Sequence, residues 1–379
     1  MKKVLFVITQ FYKGGAEVAL LNLFKQLSQD EIEVDFLIFD QMILKDAQSL
    51  IPQIPKWITV CDAAAREGQL AIIRKVIFKI YRKITKRQLY RKAAYDFVKN
   101  KKYDVAFSYG EWMAPEFVAR KVNAKKKYVW IHADIDKAGY VDEKVLFGYD
   151  NAYSGYIFVS EQSCVDAVKA FPILSGRTHI IHNMCDDEFI RELAKEIPEE
   201  KEKYPTPWLL SVANLREEKN YPRMVETMRY LRDKGQNIRW LCVGSTANPF
   251  QLNKVQSLLE KYQLKDDFIL LGTKKNPYMY MARSAAVVVL SDFEAWSLVI
   301  TEAKLLGIPV ITTRTSGAIE QIEEGKTGVF VPFESKAIAE RIEEFLEDDT
   351  LRKRIHDNLD GFSTNQRTLS EFYQVLGEE

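Results

Sequence analysis

Short apolar runs alternate with amphipathic segments along the whole chain. KKVLFVIT at 2–9 is continuous, β-branched and aromatic, the composition of a strand buried on both faces. Gly14-Gly15 then turns the chain, and Leu20, Leu23, Phe24 and Leu27 recur at helical spacing. VDFLIFD at 34–40 predicts a second strand. Beyond a basic, helical stretch, YDVAFSYG (103–110), KYVWIH (127–132), GYIFVS (155–160) and THIIHN (178–183) predict four more. Strands separated by helices imply right-handed crossovers and a parallel sheet covered on both faces.

The texture changes at 191–207. RELAKEIPEEKEKYPTP is charged, holds three prolines and lacks an apolar stripe, so it predicts an interdomain linker. The alternation then restarts with PWLLSVAN (207–214), IRWLCVG (238–244), FILLG (268–272), AAVVVLS (285–291), IPVITT (308–313) and GVFVP (328–332). Residues 335–346 repeat Ile338, Ile342 and Leu346 as an amphipathic helix. The reading is α/β, with two Rossmann-like, doubly wound domains in tandem. Their expected bounds are 1–195 and 205–360, with 361–379 as a closing helix that packs back on the N-terminal domain. In such sheets ligands bind at the carboxyl ends of the strands, which implies a small-molecule cleft between the two domains.

Composition narrows the class. The 379 residues are 47% hydrophobic and 28% charged, the balance of a soluble globular protein long enough for two or three domains. Lys and Arg number 54 against 53 Asp and Glu, which argues against a dedicated nucleic-acid binder. Four scattered cysteines without a CxxC spacing predict a reduced, cytoplasmic protein. With four histidines, of which only His179 and His182 are close in sequence, a zinc site is not expected. The apolar run 4–8 is shorter than a signal-peptide core of about 7–15 residues and is read as a strand. No run of about 18 apolar residues predicts a membrane span.

Four clusters carry candidate chemistry. SDFEAWSLVITEAKLLG at 291–307 ends a strand, carries Glu294 in a loop and starts a helix near Ser297, with Glu302 inside it. A helix start suits a phosphate, and flanking carboxylates suit sugar hydroxyls; a cap and a solvated face would give the same spacing. SVANLREEKN at 211–220 places Arg216 and Lys219 at a strand end, where two cations could hold a diphosphate or simply pair with Glu217 and Glu218. Gly14-Gly15 brings backbone close to a ligand or forms a plain turn; it lacks the GxGxxG fingerprint. His132 ends a strand and either points at a ligand or is structural. Asp134-Ile135-Asp136 has the spacing of a metal-diphosphate triplet, but Arg216, Lys219 and the helix start already serve phosphate, so no metal is expected.

These clusters, in this order, resemble the retaining glycosyltransferases of family 4, which have the GT-B fold. The resemblance rests on Gly-Gly-Ala-Glu at 14–17, Arg216 and Lys219, and Glu294 and Glu302 followed by Ala303, Gly307, Pro309 and Val310. Ser316-Gly317, Glu320, Gly325 and Gly328 continue it, with Trp130-Ile131-His132 and Ile180–Asn183 in the N-terminal half. It spans nearly the whole chain and is most specific over 208–332. It implies a hexosyltransferase-type enzyme that moves sugar from a UDP-sugar or other NDP-sugar to a glycan or lipid-linked acceptor, without a metal, in bacterial surface polysaccharide synthesis. Arg216 and Lys219 would bind the donor diphosphate, and the backbone of Ser297 and Leu298 would meet phosphate. Glu294 would contact the transferred sugar, Glu302 the ribose, and Gly272, Thr273 and Lys274 would flank the nucleobase. Gly14 and Gly15 would approach the diphosphate, and His132 would lie beside the sugar. Ala295-Trp296-Ser297 departs from the small-residue run that usually follows the first glutamate, which changes the sugar pocket. A nucleotide-sugar epimerase on the same fold and a degenerate, non-catalytic module are the competing readings.

Residues 74–102 hold twelve Lys and Arg and one acid, Asp96, with Val76, Ile77, Ile80, Tyr81 and Ile84 at helical spacing. Such a stretch fits either the inner face of an anionic membrane or a solvated helix packed on the sheet.

Overall fold

The structure is a computed structural model that describes residues 1–41, 49–67, 77, 80, 90–111, 114–139, 141–201, 203–204 and 207–377. The basic stretch 74–102 is therefore described only at 77, 80 and 90–102. The chain forms two compact units, one of Met1–Met184 with Arg367–Glu379 and one of Cys185–Gln366.

The N-terminal unit is built on seven parallel strands. They are β1 (Lys2–Ile8), β2 (Ile32–Ile38), β3 (Thr59–Asp62), β4 (Tyr103–Tyr109), β5 (Ala124–Ile131), β6 (Gly155–Phe158) and β7 (Thr178–Ile180), in the order β3-β2-β1-β4-β5-β6-β7. Val4, Leu5, Phe6 and Val7 in β1 are all fully buried, as expected for a central strand covered on both faces. β3 has no counterpart in the hydrophobic pattern, because TVCD is four residues long and sits at the sheet edge, where one partner suffices.

The second unit repeats the plan with β8 (Trp208–Val212), β9 (Trp240–Val243), β10 (Phe268–Gly272), β11 (Ser284–Val289), β12 (Val310–Thr313) and β13 (Gly328–Val331). Their order is β10-β9-β8-β11-β12-β13, again all parallel. The helix Ser335–Glu347 buries Ile338, Ile342 and Phe345 against this sheet's core.

Two boundaries differ from the sequence reading. The division falls after Met184 rather than at 195–205, and the stretch 191–207 is not a free linker. It begins inside the helix Asp187–Leu193 and is bound to the second unit by its own polar groups. Asn276 Nδ2 donates to Leu193 O at 2.8 Å, Arg283 Nη1 donates to Ala194 O at 3.1 Å, and Glu200 accepts from Tyr280 Oη at 2.6 Å and pairs with Lys274. Charge and proline content signalled exposure here; the partners lie some 80 residues away and left no local mark.

The helix Asn365–Leu376 contributes residues 367–376 to the N-terminal unit. Its Phe372 ring lies 6.1 Å from Phe6 and 5.8 Å from Phe107, and Lys2 Nζ donates to Leu376 O at 2.5 Å. Buried His182, next to β7, is fixed to the same helix. Glu371 accepts from the His182 backbone N–H at 2.9 Å and bonds its Nδ1 at 2.7 Å.

Candidate functional site

In each sheet the strand order reverses once, and loops on the two sides of a reversal diverge to leave a crevice at the strand carboxyl ends. In the second unit that point lies between β8 and β11. The loop after β8 carries Arg216 and Lys219; the loop after β11 carries Glu294. Lys219 Nζ forms an ion pair with Glu294 Oε2, which also accepts from Ser291 Oγ at 3.5 Å. Two residues 75 positions apart thus meet because of the topology.

Asp292 ties the two loops together. Its N–H donates to Glu218 O at 2.8 Å, and its carboxylate accepts from Asn220 Nδ2 at 3.0 Å and Arg223 Nη2 at 2.6 Å. Asn220 has left-handed backbone (φ 47°) and caps the helix Tyr221–Asp233 by accepting from Arg223 N at 3.3 Å. An asparagine tolerates that conformation while supplying the capping oxygen. Lys219, one residue earlier, is thereby aimed by a rigid turn. Asn220, Arg223 and Asp292 were missed by the sequence reading. Asn220 before Tyr221-Pro222 is a helix-start signature and could have been found; the Arg223–Asp292 contact has no local signal.

After Glu294 the chain enters the helix Leu298–Leu305, with extended Ser297 at the N-cap. No side chain caps this turn, so its leading N–H groups are the ones an α-helix leaves without an intrahelical partner. Gly317 N donates to Glu294 O at 2.8 Å, and a Cβ on Gly317 would come within 2.5 Å of Ala295 O and 2.7 Å of Trp296 Cα. The loop can pack this closely only over a glycine. Four residues after Leu298, and hence on the same helix face, Glu302 is 8% exposed and accepts from Tyr278 Oη at 3.1 Å.

The other predicted residues of this unit are placed apart from the Lys219–Glu294 pair. Arg216 does not join the pair; its side chain is 67% exposed, with Glu218 at 3.9 Å. It lines a cavity of about 530 Å³ beyond β8 and β9, together with Asn214, Ser245 and Asn248. Thr273 is exposed after β10, and neighbouring Lys274 is engaged by Glu200.

In the N-terminal unit the reversal lies between β1 and β4. Gly14 is the N-cap of the helix Gly15–Gln26 and Gly15 its first residue. The Glu17 carboxylate folds over the space a Gly14 Cβ would occupy, whereas nothing lies within 4 Å of that space at Gly15. Only Gly15 therefore offers open backbone. His132 follows β5, its ring 4.3 Å from that of Tyr109 and stacked 6.1 Å from Trp130. Both ring nitrogens are out of solvent and lack a hydrogen-bond partner among the described residues. Burial pushes the imidazole down to about 3, so it is neutral at pH 7.

Asp134 is buried, and Asp136 lies 3.8 Å from Lys137. Among the described residues no three His, Cys, Asp or Glu side chains converge as a metal site requires. No helix of the described residues is long and apolar enough to cross a membrane. Within 90–102 the basic stretch is less free than its composition implied. Arg91 is buried and paired with Asp40, Lys101 bonds Asp35 at 2.8 Å, and Lys99 bonds Asp96 at 2.6 Å.

Residues 192–360 match the family model of glycosyl transferases group 1. The chain is 28% identical over 170 residues to the capsular polysaccharide biosynthesis glycosyltransferase CapM of Staphylococcus aureus, covering 44% of this chain and 43% of that one. It is also 28% identical over 196 residues to the N-acetylgalactosamine-N,N'-diacetylbacillosaminyl-diphospho-undecaprenol 4-alpha-N-acetylgalactosaminyltransferase of Campylobacter jejuni, covering 51% of each. The chain thus spans about half the length of these curated relatives. Among solved structures it resembles Anabaena Alr3699/HepE in complex with UDP and glucose, at TM-score 0.70 and 20% identity over 99% of this chain and 98% of that one. A Staphylococcus aureus TarM variant bound to UDP aligns at TM-score 0.74 and 15% identity over 99% of this chain and 100% of that one. The fold is GT-B, two Rossmann-like α/β units in tandem, and residues 192–360 are related to the group 1 glycosyl transferases.

Proposed function

We propose that this chain is a retaining, hexosyltransferase-type glycosyltransferase that moves a sugar from a UDP-sugar or other NDP-sugar to a glycan or lipid-linked acceptor in surface polysaccharide synthesis. One observation carries the reading. Lys219 and Glu294 meet at the strand-order reversal of the second unit, beside a helix start with no side-chain cap, inside the stretch that matches the group 1 glycosyl transferases. The cation, the carboxylate and the free N–H groups are what a sugar diphosphate needs in one place.

In this mechanism the anomeric C–O bond breaks with charge developing on the leaving diphosphate and an oxocarbenium-like sugar. Lys219, Arg216 and the N–H groups of Ser297 and Leu298 stabilise the departing diphosphate, with no metal required. Arg216 must swing from its exposed position to take part. Glu294 holds hydroxyls of the transferred sugar, Glu302 the ribose, and the 272–274 turn flanks the base through Thr273. The acceptor oxygen attacks from the leaving-group face, and its proton passes to the departing phosphate oxygen. No pair of catalytic carboxylates is then needed, unlike in a glycosidase. In the N-terminal unit, the open backbone of Gly15 serves the diphosphate, Gly14 can do so only once the Glu17 carboxylate moves aside, and neutral His132 serves the sugar. Trp296, buried two residues after Glu294, sets the shape of the sugar pocket.

The test is a panel of nucleotide-sugars with and without polyprenyl-phosphosugar and oligosaccharide acceptors. Nucleotide release that depends on acceptor is expected. Epimer formation without acceptor would instead support an epimerase, and absence of donor binding a non-catalytic module.

We further propose a cytoplasmic location with contact to an anionic membrane through 74–102. Ile77 and Ile80 are 50% and 53% exposed, and each free cation near such a surface adds about 1 kcal/mol. Co-sedimentation with vesicles of phosphatidylglycerol is expected at low salt and release at high salt. No sedimentation at either salt would remove the membrane contact.

A further inference from the structure

Glu111 lies outside every motif considered above, yet its carboxyl group is buried behind the end of β4. It follows β4 across Gly110, whose φ of 125° belongs to the region that favours glycine. Gly110 N donates to Trp130 O at 3.0 Å, so the turn stays attached to β5 while it sends the Glu111 side chain inward. Glu111 is 4% exposed. Its Oε2 accepts from the backbone N–H of His132 at 3.2 Å. β4 and β5 pair Tyr109 with Trp130, and the Glu111–His132 bond continues the same register two positions on, one residue past β5 and two past β4. Tyr109, in turn, donates through Oη to Ala16 O at 3.0 Å and packs its ring on His132. The His132 ring is thus placed by the Tyr109 and Trp130 rings and, through its backbone N–H, by one side-chain bond from a buried carboxyl group.

We infer that Glu111 is a positioning residue: its carboxylate holds the backbone of His132, and its protonation loosens that hold. The inference rests on the functional reading above only for its kinetic consequence. Burial, reinforced by the nearby Glu17 carboxylate, pushes Glu111 up to about 7, against the pull of the His132 N–H and its own N–H. The titratable groups around it are Glu17 from the helix Gly15–Gln26, Tyr109 from β4 and His132 after β5. Tyr109 is held far above its ordinary range by burial and by the same two glutamates, and His132 far below its own. Glu111 is thus placed to change charge between pH 6 and 8. An ionised acceptor makes a stronger hydrogen bond than a neutral one, so His132 is held best above pH 7.

The experiment compares the wild type with Glu111→Gln, which keeps the shape and an acceptor oxygen but is locked neutral. The first readout is the His132 backbone amide by NMR. Its proton shift is expected to titrate with a midpoint near pH 7 in the wild type and to stay flat in Glu111→Gln. The second readout is turnover with a donor and acceptor from the panel. Wild-type kcat is expected to rise about three- to fivefold from pH 6 to pH 8. Glu111→Gln is expected to remain at the acid-limit value throughout, with donor Kd unchanged. Glu111→Ala, which leaves the N–H without its acceptor, is expected to lose about tenfold or more in kcat. The third readout is stability. Folded Glu111 titrates above an ordinary carboxyl, so its favourable contribution is complete below about pH 4.5 and is lost as pH rises through 7. The melting-temperature advantage of Glu111→Gln over wild type is therefore expected to grow from pH 5 to pH 8. A His132 amide that does not titrate in the wild type, or a kinetic limb near pH 7 that survives in Glu111→Gln, overturns the inference. If no donor supports transfer, the functional reading fails instead, and the amide titration alone decides the role of Glu111.

Discussion

Lys219→Ala is expected to lower kcat by about two to three orders of magnitude, the usual effect of removing one preorganised donor from a developing oxyanion. The structure gives two reasons for so large an effect at one lysine. Lys219 precedes the left-handed Asn220, and that turn is pinned through Asp292 to the loop that carries Glu294. The ammonium is thus placed by two loops rather than by its own flexible stem, which is preorganisation in a concrete form. Its present partner is Glu294, with side-chain exposures of 22% and 19%. In the proposed mechanism an incoming diphosphate would take over the lysine and leave Glu294 to accept from sugar hydroxyls, which makes the ion pair the resting form of both contacts. Removing the lysine takes away the phosphate contact and also leaves a half-buried carboxylate that repels the incoming donor. Lys219→Arg keeps the charge but replaces a compact ammonium with a planar fork, and is expected to recover only part of the loss. The pair is open enough to water that its contribution to folding is about 0–1 kcal/mol. The melting temperature of Lys219→Ala should therefore stay close to wild type while turnover collapses. Steady-state nucleotide release and a thermal melt on the same preparation separate the two effects. Wild-type kinetics in Lys219→Ala would remove Lys219 and Glu294 from the site.

Much of this site was legible in the sequence because its residues sit beside structural punctuation. Lys219 and Arg216 follow a short apolar run, Glu294 follows another, and Ser297 begins a helix, so each is a strand-end residue by pattern alone. Their convergence was not legible from spacing. It depends on β8 and β11 being neighbours across the reversal in strand order, a property of the whole sheet. The same limit explains the errors. The stretch 191–207 reads as a linker because its charges look solvated, while its partners, Asn276, Arg283, Lys274 and Tyr280, lie far along the chain. Edge strand β3 is too short for a two-residue period to register. Arg91 and Lys101 were counted as a basic surface, although Asp40 and Asp35 take them out of it. Glu111 escaped because one glutamate after a strand carries no pattern. Only its burial and its bond to the His132 backbone distinguish it.

Glu302→Ala is expected to weaken donor binding about tenfold to a hundredfold while leaving kcat at saturating donor within about threefold. The separation follows from where Glu302 sits. It lies one turn into the helix Leu298–Leu305, on the face of Leu298, and so behind the turn that the proposed mechanism assigns to phosphate. In that mechanism the breaking bond would lie on the far side of the phosphate, where Lys219 and Glu294 are proposed to act. A carboxylate in this position grips the nucleoside equally in the ground state and in the transition state, which lowers KM without raising kcat. A hydrogen bond to a charged group contributes about 1.5–3 kcal/mol, and that range gives the expected loss of affinity. Tyr278 sharpens the test. Its Oη donates to Glu302 Oε1 at 3.1 Å and so orients the carboxylate. Tyr278→Phe removes the support but not the ligand contact, so it should weaken donor binding by less than Glu302→Ala. The double variant should be no weaker than Glu302→Ala alone, because the tyrosine acts through the carboxylate. Titration calorimetry with the nucleoside diphosphate and with the full donor measures all three. Equal loss for both ligands places the contact on the nucleoside; a loss confined to the full donor would place Glu302 on the sugar and overturn the assignment.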